Sequence, residues 1–373
     1  MKKFIPVNKP VITKSDSDSV HKVLKTGWIS SEGPNVKKFE DKFSKFIGHK
    51  YSVAVSSGTA ALEIAVKSLN LKQGDEVIIP NFTIISNALA VIKLGLKIKL
   101  VDCDLDNWNM NLDKVERAIT HKTKAIIATH IYNFPFRVDL LKKICDKKGI
   151  FIIEDAAEAF GQKIFKKNCG SFGDIGTFSF YANKQITTGE GGMITTNDKK
   201  IYKKMLSLRN LSFGKKNRFN HDDIGWNYRM TNIQATLGIS QLTRIKKIVK
   251  IRHAIGLKYY NKLKTNNNIY IPEPKKLFAK NIYWVIAVVI TNKKIKLDAK
   301  MVMDKLAKLG IGTRPFFWPM HKQKILKNLK LYNSKNFINS TYISKKGFYL
   351  PSSLSLTSSE INYICKKVNL ILK

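Results

Sequence analysis

Short apolar runs alternate with helix-patterned segments along the chain up to about residue 245. The pattern predicts strands at Tyr51–Val55, Glu76–Pro80, Lys97–Val101, 125–128 and 150–153. Helices are predicted between them, from the spacing of Ala61, Ile64, Ala65 and Leu69 and over 86–94, 113–119 and 139–148. Because strands that are apolar throughout are buried on both faces, this alternation predicts an α/β fold with a largely parallel sheet.

The pattern changes after about residue 245. A long helix is predicted over Ile245–Leu263, a strong strand over 283–290, and helices over 297–309 and 358–373. We interpret this part as a smaller α+β domain. The predicted division is a large domain over 1–245 and a small C-terminal domain over 246–373, and about the first 30 residues are expected to pack on the small one.

The charge of the chain is extreme. It has 66 Lys and Arg against 27 Asp and Glu, a formal net charge of +39, which first suggests a nucleic-acid or membrane partner. Only eight of the basic residues are arginine, the residue that phosphate and base recognition favour, and the lysines are spread over the whole length. We therefore predict no specific nucleic-acid partner, although the charge would steer anionic substrates such as nucleotide sugars.

The cysteines and the apolar segments bear on the cellular compartment. Cys103, Cys145, Cys169 and Cys365 have no Cys-x-x-Cys spacing, which argues against a zinc ribbon or a disulfide framework. No apolar stretch approaches the length of a membrane span, and none follows the basic residues at the N-terminus. We expect a cytoplasmic protein with reduced thiols, no metal ion and no membrane association.

One lysine stands in unusual surroundings. Lys184 lies between the apolar, aromatic run 175–181 and the glycine-rich turn Thr188-Gly-Glu-Gly-Gly192. Burial disfavours the charged form of a lysine and lowers its pKa, and an unprotonated amine can form a Schiff base with a carbonyl. Pyridoxal phosphate (PLP) is the cofactor that uses such a lysine. The alternative is a surface lysine in a hairpin.

PLP also needs an acidic partner for its pyridine nitrogen, and Asp155 is the candidate. It ends the apolar run Ile150-Phe-Ile-Ile-Glu-Asp155, at the carboxyl end of a predicted strand, where parallel sheets bind ligands. A carboxylate there would keep the pyridine nitrogen protonated. The alternative is that Glu154 and Asp155 cap the next helix.

Two further segments carry weaker signals. Ser56-Ser-Gly-Thr-Ala-Ala61 joins a strand to a helix, and its Gly58 and free N–H groups could bind a phosphate or could be purely structural. Gly225-Trp-Asn-Tyr-Arg-Met-Thr-Asn-Ile-Gln234 gathers aromatic, amide and guanidinium groups before a helix that Thr231 or Asn232 could cap.

Several motifs together resemble the DegT-type sugar aminotransferases, which are PLP enzymes of fold type I. They are Ser57-Gly-Thr-Ala-Ala-Leu62, Glu154-Asp-Ala-Ala-Glu-Ala-Phe-Gly161, Ser179-Phe-Tyr-Ala-Asn-Lys184, Thr187-Thr-Gly-Glu-Gly-Gly192 and Asn227-Tyr-Arg-Met-Thr-Asn232. The resemblance runs from about residue 5 to the C-terminus and implies a mostly parallel sheet of the seven-stranded type. Gly27-Trp-Ile-Ser-Ser31, Thr313-Arg-Pro-Phe-Phe-Trp-Pro-Met-His321 and Leu350-Pro-Ser-Ser-Leu354 are similar to the GDP-perosamine synthases within that family.

The resemblance implies roles for particular residues. Lys184 is expected to form the Schiff base and to move the proton, and Asp155 to pair with the pyridinium nitrogen. The phosphate is expected at Ser57, Gly58, Thr59 and Ser179, with Asn227 reaching it from the neighbouring subunit of a homodimer. Phe82 would stack on the cofactor ring and Glu158 would lie near its hydroxyl. Candidates for the substrate region are Trp28, Tyr181, Arg229, Arg314, Phe316, Phe317 and His321.

Some positions depart from the pattern of the family. The chain has His130-Ile-Tyr-Asn133 where His-x-Tyr-Gly is usual, Ala182 where perosamine-type enzymes commonly have Gly, and Ser57 where Asn is frequent. These departures do not touch the core chemistry, but they leave the identity of the sugar open.

The implied reaction moves the amino group of L-glutamate to the C4 keto group of a nucleotide-linked 4-keto-6-deoxy sugar, of the GDP-4-keto-6-deoxymannose type. A UDP- or dTDP-linked sugar is one alternative. A PLP-dependent sugar dehydratase is another, although relatives of that kind have histidine in place of the Schiff-base lysine. A basic nucleic-acid-binding regulator is the alternative outside enzymes.

Overall fold

The computed structural model describes residues 4–214, 219–329 and 337–373. Residues 1–3 of the predicted N-terminal segment lie outside the described residues. The strands are β1 (Tyr51–Val55), β2 (Glu76–Pro80), β3 (Lys97–Val101), β4 (Thr123–Thr129), β5 (Phe151–Asp155), β6 (Lys163–Ile164), β7 (Lys167–Asn168), β8 (Ile175–Ser179), β9 (Gly192–Thr196), β10 (Ile269–Tyr270), β11 (Ile286–Ile290), β12 (Arg314–Pro315) and β13 (Gly347–Leu350).

The helices alternate with these strands in the first part of the chain, as the pattern predicts. They are α1 (Lys14–Lys25), α2 (Pro34–Ile47), α3 (Gly58–Ser68), α4 (Ser86–Ile92), α5 (Leu112–Ala118), α6 (Val138–Lys148), α7 (Lys199–Arg209), α8 (Asn232–Leu242), α9 (Ile245–Leu263), α10 (Ala299–Lys308), α11 (Lys324–Asn328), α12 (Ile338–Lys346) and α13 (Ser358–Ile371), with a 3-10 turn at Met320–Lys322. Glycines in the left-handed region end two of them, because α2 stops at Gly48 (φ +97°) and α6 at Gly149 (φ +63°).

The central sheet confirms the predicted fold class. In the described residues it has seven strands in the order β1-β9-β8-β5-β4-β2-β3. Strands β3, β2, β4, β5 and β8 are parallel, and β9 is antiparallel to both of its neighbours, β8 and β1. The carboxyl ends of β2, β4, β5 and β8 therefore lie at one edge of the sheet, which is where ligands bind in such folds.

A second, antiparallel sheet lies in the C-terminal part, in the order β10-β11-β13-β12. Strand β11 begins only at Ile286, so the strand prediction over 283–290 is wrong for 283–285. Tyr283 has a φ of +50°, in the left-handed region, so extended pairing cannot include it.

Two cores share the long helix α9. Ile245 and Ile248 pack with side chains behind the central sheet, whereas Ile255, Tyr259 and Leu263 belong to the core of the C-terminal sheet. The division of the chain at residue 245 stays a prediction.

The N-terminal segment is attached at two places. Ile5 pairs with Ile311 and is buried in the C-terminal core. Helix α1 begins with a capping box formed by Thr13 and Asp16. The fully buried carboxylate of Asp16 accepts hydrogen bonds from Ser240 at 2.7 Å and Arg244 at 2.5 Å, which fixes α1 to the end of α8 and the start of α9.

The four cysteines are buried as free thiols. Among the described residues, no helix combines the length and the apolar character that crossing a bilayer requires.

Candidate active site

A cavity of about 400 Å³ opens at the carboxyl edge of the central sheet. Its wall combines the ends of β5 and β8, the first turn of α3, the loop after β8, and residues of the C-terminal sheet. The lining residues are Ser57, Gly58, Thr59, Leu62, Thr83, Ile84, Ser86, Thr129, Tyr132, Asp155, Ala157, Glu158, Phe178, Ser179, Tyr181, Asn183, Lys184, Glu190, Trp284, Pro315, Phe317 and Tyr349.

Lys184 projects into this cavity from the loop between β8 and β9. Its backbone N–H donates to Tyr181 O at 2.9 Å, and its Nζ lies 4.0 Å from the centroid of the Trp284 ring. Burial lowers the pKa of the amine, while the carboxylates of Glu158 and Asp155 oppose that shift and Arg252 adds to it. The loop does belong to a hairpin, but the lysine is partly buried and lines the cavity, so it is not an exposed surface residue of that hairpin.

Asp155 faces the same space from the end of β5. Its side chain is 2% exposed, and its Oδ1 accepts a hydrogen bond from Ala157 N at 3.2 Å. Burial raises the pKa of this carboxyl, against the lowering effect of that hydrogen bond and of Lys184. The carboxylate therefore accepts a hydrogen bond from the backbone that follows it and also lines the cavity. A role as a cap of the next turn explains the hydrogen bond but not the position in the cavity.

Glu158 is the second buried carboxyl of the cavity. Its Oε2 accepts a hydrogen bond from Tyr132 N at 2.8 Å. Burial raises the pKa of Glu158 to about 7, and Lys184 opposes this rise. The cavity thus places one amine against two carboxyls, all three with shifted pKa values, which is typical of an active site.

Glu154, next to Asp155 in sequence, points the other way and is structural. It accepts hydrogen bonds from Gly170 N at 2.6 Å, Phe172 N at 2.7 Å and His130 Nε2 at 2.9 Å. His130 Nδ1 in turn accepts from Phe136 N at 3.0 Å. Although His130, Glu154 and Cys169 are close enough to share a metal ion, both ring nitrogens of His130 and both carboxylate oxygens of Glu154 are already hydrogen-bonded, and burial raises the pKa of the Cys169 thiol.

The opposite end of the cavity is the N-terminus of α3. Ser57 is the N-cap, its Oγ accepting from Ala60 N at 3.0 Å, so the N–H groups of Gly58 and Thr59 lie at the helix start. A Cβ on Gly58 would lie 2.8 Å from the Ser179 Cβ, so only glycine allows this approach to the end of β8. Thr59 Oγ1 and Ser86 Oγ, 2.8 Å apart, add hydroxyls. This end can bind a phosphate.

The two ends together fit PLP. The residues offer a helix N-terminus with hydroxyls for a phosphate, a carboxylate for a protonated ring nitrogen, and an amine for an aldehyde. The narrow cradle at Gly58 supports this assignment, because a side chain there would fill the space beside Ser179.

A comparison with known proteins decides the family. The sequence pattern of the DegT/DnrJ/EryC1/StrS aminotransferase family matches residues 10–369. The chain belongs to this family. It is 36% identical over 369 residues to "GDP-perosamine synthase" of Escherichia coli O157:H7, which covers 98% of each chain.

Solved structures agree with the family assignment. A putative sugar aminotransferase from Streptococcus pneumoniae superimposes with a TM-score of 0.91 at 26% identity, covering 99% of this chain and 97% of that one. The E. coli GDP-4-keto-6-deoxy-D-mannose-3-dehydratase with bound hydrated PLP superimposes with a TM-score of 0.89 at 26% identity over the whole of both chains. The structural neighbours of the chain thus include proteins with two different named activities.

Aromatic residues of this family member form a cluster against one wall of the cavity. Tyr132 and Phe317 line it with rings stacked at 5.0 Å. Phe82 lies behind them, fully buried, at 5.9 Å from Tyr132 and 5.8 Å from Phe317. Phe316 is buried beside Phe82 and Tyr132. The role of Phe82 in stacking on the cofactor stays a prediction.

Three predicted substrate residues lie near the mouth of the cavity or behind it. Tyr181 lines it and is half exposed. Arg314 is exposed on β12 opposite Tyr349, and it opposes the rise in the pKa of Tyr349 that burial causes. His321 Nδ1 is 2.9 Å from Asn81 Nδ2, so its ring is held by the segment behind the cavity.

A separate surface carries three other predicted site residues, the phosphate candidate Asn227 and the substrate candidates Trp28 and Arg229. Asn227 is exposed and its Oδ1 accepts from Arg229 Nε at 2.9 Å. Arg229 also donates to Asn210 and lines a second cavity of about 300 Å³ with Ser31 and Glu32. Trp28 is 55% exposed, and its carbonyl accepts from Asn232 Nδ2 at 2.7 Å. The single chain therefore does not bring Trp28, Asn227 and Arg229 to the lysine.

Sequence reasoning missed several cavity residues. Tyr132, Trp284 and Tyr349 come from three distant segments, and no local pattern marks them as site residues. A signal existed for Tyr132 only, because it lies in the motif His130-Ile-Tyr-Asn133 that resembles the usual His-x-Tyr-Gly.

Proposed function

We propose that the chain is a PLP-dependent aminotransferase that moves the amino group of L-glutamate to the C4 keto group of a GDP-linked 4-keto-6-deoxy sugar. The product would be GDP-perosamine or a close analogue. The observation that carries this proposal is the meeting of Lys184, Asp155 and the α3 N-terminus in one cavity of an aminotransferase-family chain. The identity of 36% to a GDP-perosamine synthase supports the choice of sugar.

Bound PLP would supply an electrophilic aldehyde carbon and a ring that accepts electrons. The Ser57–Thr59 turn and the Ser179 hydroxyl would hold its phosphate, and Asp155 would pair with its ring nitrogen. Because burial lowers the pKa of Lys184, its Nζ can carry a free electron pair, act as nucleophile, and later accept and return the substrate proton. The apolar rings of Trp284 and Phe317 line the same cavity as the amine and would leave less room for water beside it.

The sugar and its nucleotide would enter past Tyr181, Pro315 and Tyr349. Burial and Glu158 raise the pKa of Tyr349 to about 12, so its hydroxyl stays protonated and can donate a hydrogen bond to a sugar oxygen. Arg314, on the neighbouring strand, could bind a phosphate of the nucleotide.

One observation supports a second enzyme function, that of a sugar dehydratase. One of the structural neighbours is a sugar dehydratase. Lys184 argues against that activity here, because such enzymes replace the Schiff-base lysine by histidine. Product analysis distinguishes the two: an aminotransferase yields an amino sugar, whereas a dehydratase yields a deoxy keto sugar and releases ammonia.

The active unit would be a homodimer in the cytoplasm. Asn227 and Arg229 are exposed or partly exposed away from the lysine of their own chain, and we infer that they complete the site of the second copy. The high positive charge would attract nucleotide sugars over a distance and needs no specific nucleic-acid partner.

Absorption spectroscopy tests the proposal. The purified chain with PLP should show the visible absorption band of PLP joined to a lysine, which L-glutamate should bleach and the correct nucleotide keto sugar should restore. Lys184→Ala should lose the band and turnover, because the nucleophile and the proton carrier disappear together. Lys166→Ala, which removes an exposed lysine, is the control and should behave as wild type. Substantial turnover in Lys184→Ala, or no band in the wild type with excess PLP, would refute the proposal.

A further inference from the structure

A buried arginine lies behind the cavity wall next to Lys184. Arg252, on α9, is only 3% exposed. Its Nη1 donates to the backbone oxygens of Trp284 at 2.9 Å and Ser352 at 3.3 Å. None of its described hydrogen bonds reaches a carboxylate, and burial lowers its pKa to about 10. A buried cation with only carbonyl partners is costly to a fold, so it calls for an explanation.

The segment 281–284 is fastened to the same helix. Gly256 follows Arg252 by one helical turn, and a Cβ there would lie 2.0 Å from the Tyr283 ring. A ring nitrogen of His253 lies 2.7 Å from Asn281 O. Helix α9 therefore contacts this segment at two points, the ring of Tyr283 and the carbonyl of Asn281, and the backbone of Tyr283 has a positive φ.

Trp284 connects the segment 281–284 to the lysine by direct contacts. Its Nε1 donates to Asn183 O at 2.9 Å, and its ring lies 4.0 Å from Lys184 Nζ. Its own carbonyl accepts from Arg252 and, at 3.3 Å, from Ser352 Oγ. Three residues from distant parts of the chain thus form one continuous contact path from α9 to the amine.

We propose that Arg252 is a positioning residue for Lys184, which fixes Trp284 against the lysine and supplies a permanent buried positive charge beside the amine. The inference rests on the proposed function, since that function makes Lys184 the nucleophile. The charged groups acting on the lysine are Glu158 and Asp155, which favour its ammonium form, and Arg252, which disfavours it. Without Arg252, two carboxyls would face the amine with no opposing charge.

The test uses the cofactor-free full chain and measures the reactivity of the Lys184 amine toward acetic anhydride against pH, by mass spectrometry of its peptide. Arg252→Gln keeps a donor for the Trp284 carbonyl but removes the charge. We expect it to raise the pKa of Lys184, with about tenfold slower labelling at a pH below that pKa, equivalent to about one pKa unit. Arg252→Lys keeps the charge and should label as wild type.

Lys250→Gln is the matched control, because it removes the same charge from an exposed position of the same helix. It should leave the labelling of Lys184 unchanged. The inference is overturned if Arg252→Gln, with thermal melting that shows it folded, labels as wild type. If Arg252→Gln labels as wild type while the wild-type chain binds PLP normally, the proposed function stands. Only the proposed role of Arg252 is then refuted.

A second variant covers the case in which Arg252→Gln does not fold. Trp284→Phe keeps Arg252 and the apolar ring but loses the hydrogen bond to Asn183 O. Backbone hydrogen exchange in the peptide 181–186 should then be several-fold faster than in wild type. Unchanged exchange would contradict the proposed path from α9 through Trp284 to Lys184.

Discussion

The carboxyl of Glu158 is buried beside another carboxyl, Asp155, and among the described residues the amine of Lys184 is the positive group that acts on both. Burial disfavours the ionised form of all three groups. A neighbouring charge of opposite sign offsets part of that cost. A cavity built in this way stores free energy, because the groups would titrate more easily in water. A bound cofactor with a phosphate, a cationic ring nitrogen and an aldehyde would relieve part of this cost.

Glu158 gives a prediction about stability and pH. Its pKa is raised in the folded chain, so between about 4.5 and about 7 the folded state holds a proton that the unfolded state has released. Stability of the cofactor-free chain should therefore fall as pH rises through this window, by up to about 3 kcal/mol for a shift of this size. Glu158→Gln should remove this loss, since glutamine can still accept the Tyr132 N–H.

Urea denaturation at several pH values measures the effect. The difference in unfolding free energy between Glu158→Gln and wild type should grow as pH rises toward 7 and then level off. Glu116→Gln, which changes an exposed carboxyl on α5, serves as the control. A constant difference at all pH values would mean that Glu158 ionises in the folded chain as easily as in the unfolded one.

Residues differ in how far the sequence alone could assign them. The meeting of Lys184 and Asp155 in one cavity could be predicted, because Asp155 ends one apolar run and Lys184 closely follows another, which puts both at the same edge of the sheet. Trp284 could not, because its position depends on Arg252 and Asn183, which are 32 and 101 residues away in sequence. Long-range packing of this kind leaves no periodic signal.

Among the elements, α3 and β8 meet most closely at the phosphate end. The Cβ that alanine would add at Gly58 is 2.8 Å from the Ser179 Cβ, closer than two such atoms can lie. Either the first turn of α3 or the end of β8 must then shift, and both carry groups that are proposed to hold the phosphate.

We predict that Gly58→Ala destabilises the chain by about 1–3 kcal/mol, the usual cost of overpacking, and weakens PLP binding by about tenfold or more. Thermal unfolding and PLP titration measure the two effects. Adding Ser179→Gly to Gly58→Ala removes the opposing Cβ and should recover part of the stability but not the binding, because the Ser179 hydroxyl is lost. If the double variant is no more stable than Gly58→Ala, the clash is not the cause.

The elements also show where periodicity misleads. The helix over Ile245–Leu263 was predicted with its observed bounds, since its apolar spacing serves both cores. The strand over 283–290 was too long at its start, because Tyr283 and Trp284 pack on α9 and at the cavity instead of pairing. An apolar run indicates that its residues are buried. It does not indicate whether the backbone continues a β-sheet.

At the scale of the whole molecule, the site joins parts of the chain that lie in both sheets. Lys184 and Asp155 belong to the central sheet, while Trp284, Pro315 and Tyr349 come from the C-terminal part. Helix α9 contributes to both cores, so a shift of the C-terminal sheet would move Trp284 relative to the lysine. The site therefore depends on how the two sheets are held together.

The proposed dimer gives the last prediction. If Asn227 completes the site of the second copy, then Asn227→Ala should weaken PLP binding although its own cavity is intact. Lys184→Ala should be inactive. A mixed dimer of the two variants would contain one site with an intact Lys184 and an intact Asn227 from its partner, together with one doubly defective site. Random pairing of equal amounts should restore about a quarter of wild-type turnover, because half of the dimers each hold one intact site.

Complementation is measured by unfolding and refolding the two inactive or weakened variants together, at a PLP concentration where Asn227→Ala alone is largely empty. Refolding each variant with the exposed-lysine variant Lys166→Ala controls for losses during refolding. If the mixture of Lys184→Ala and Asn227→Ala gains no activity beyond that of the separate variants, Asn227 serves its own chain or none. Recovery would instead require that the exposed position of Asn227, away from its own Lys184, is occupied by a second copy of the protein.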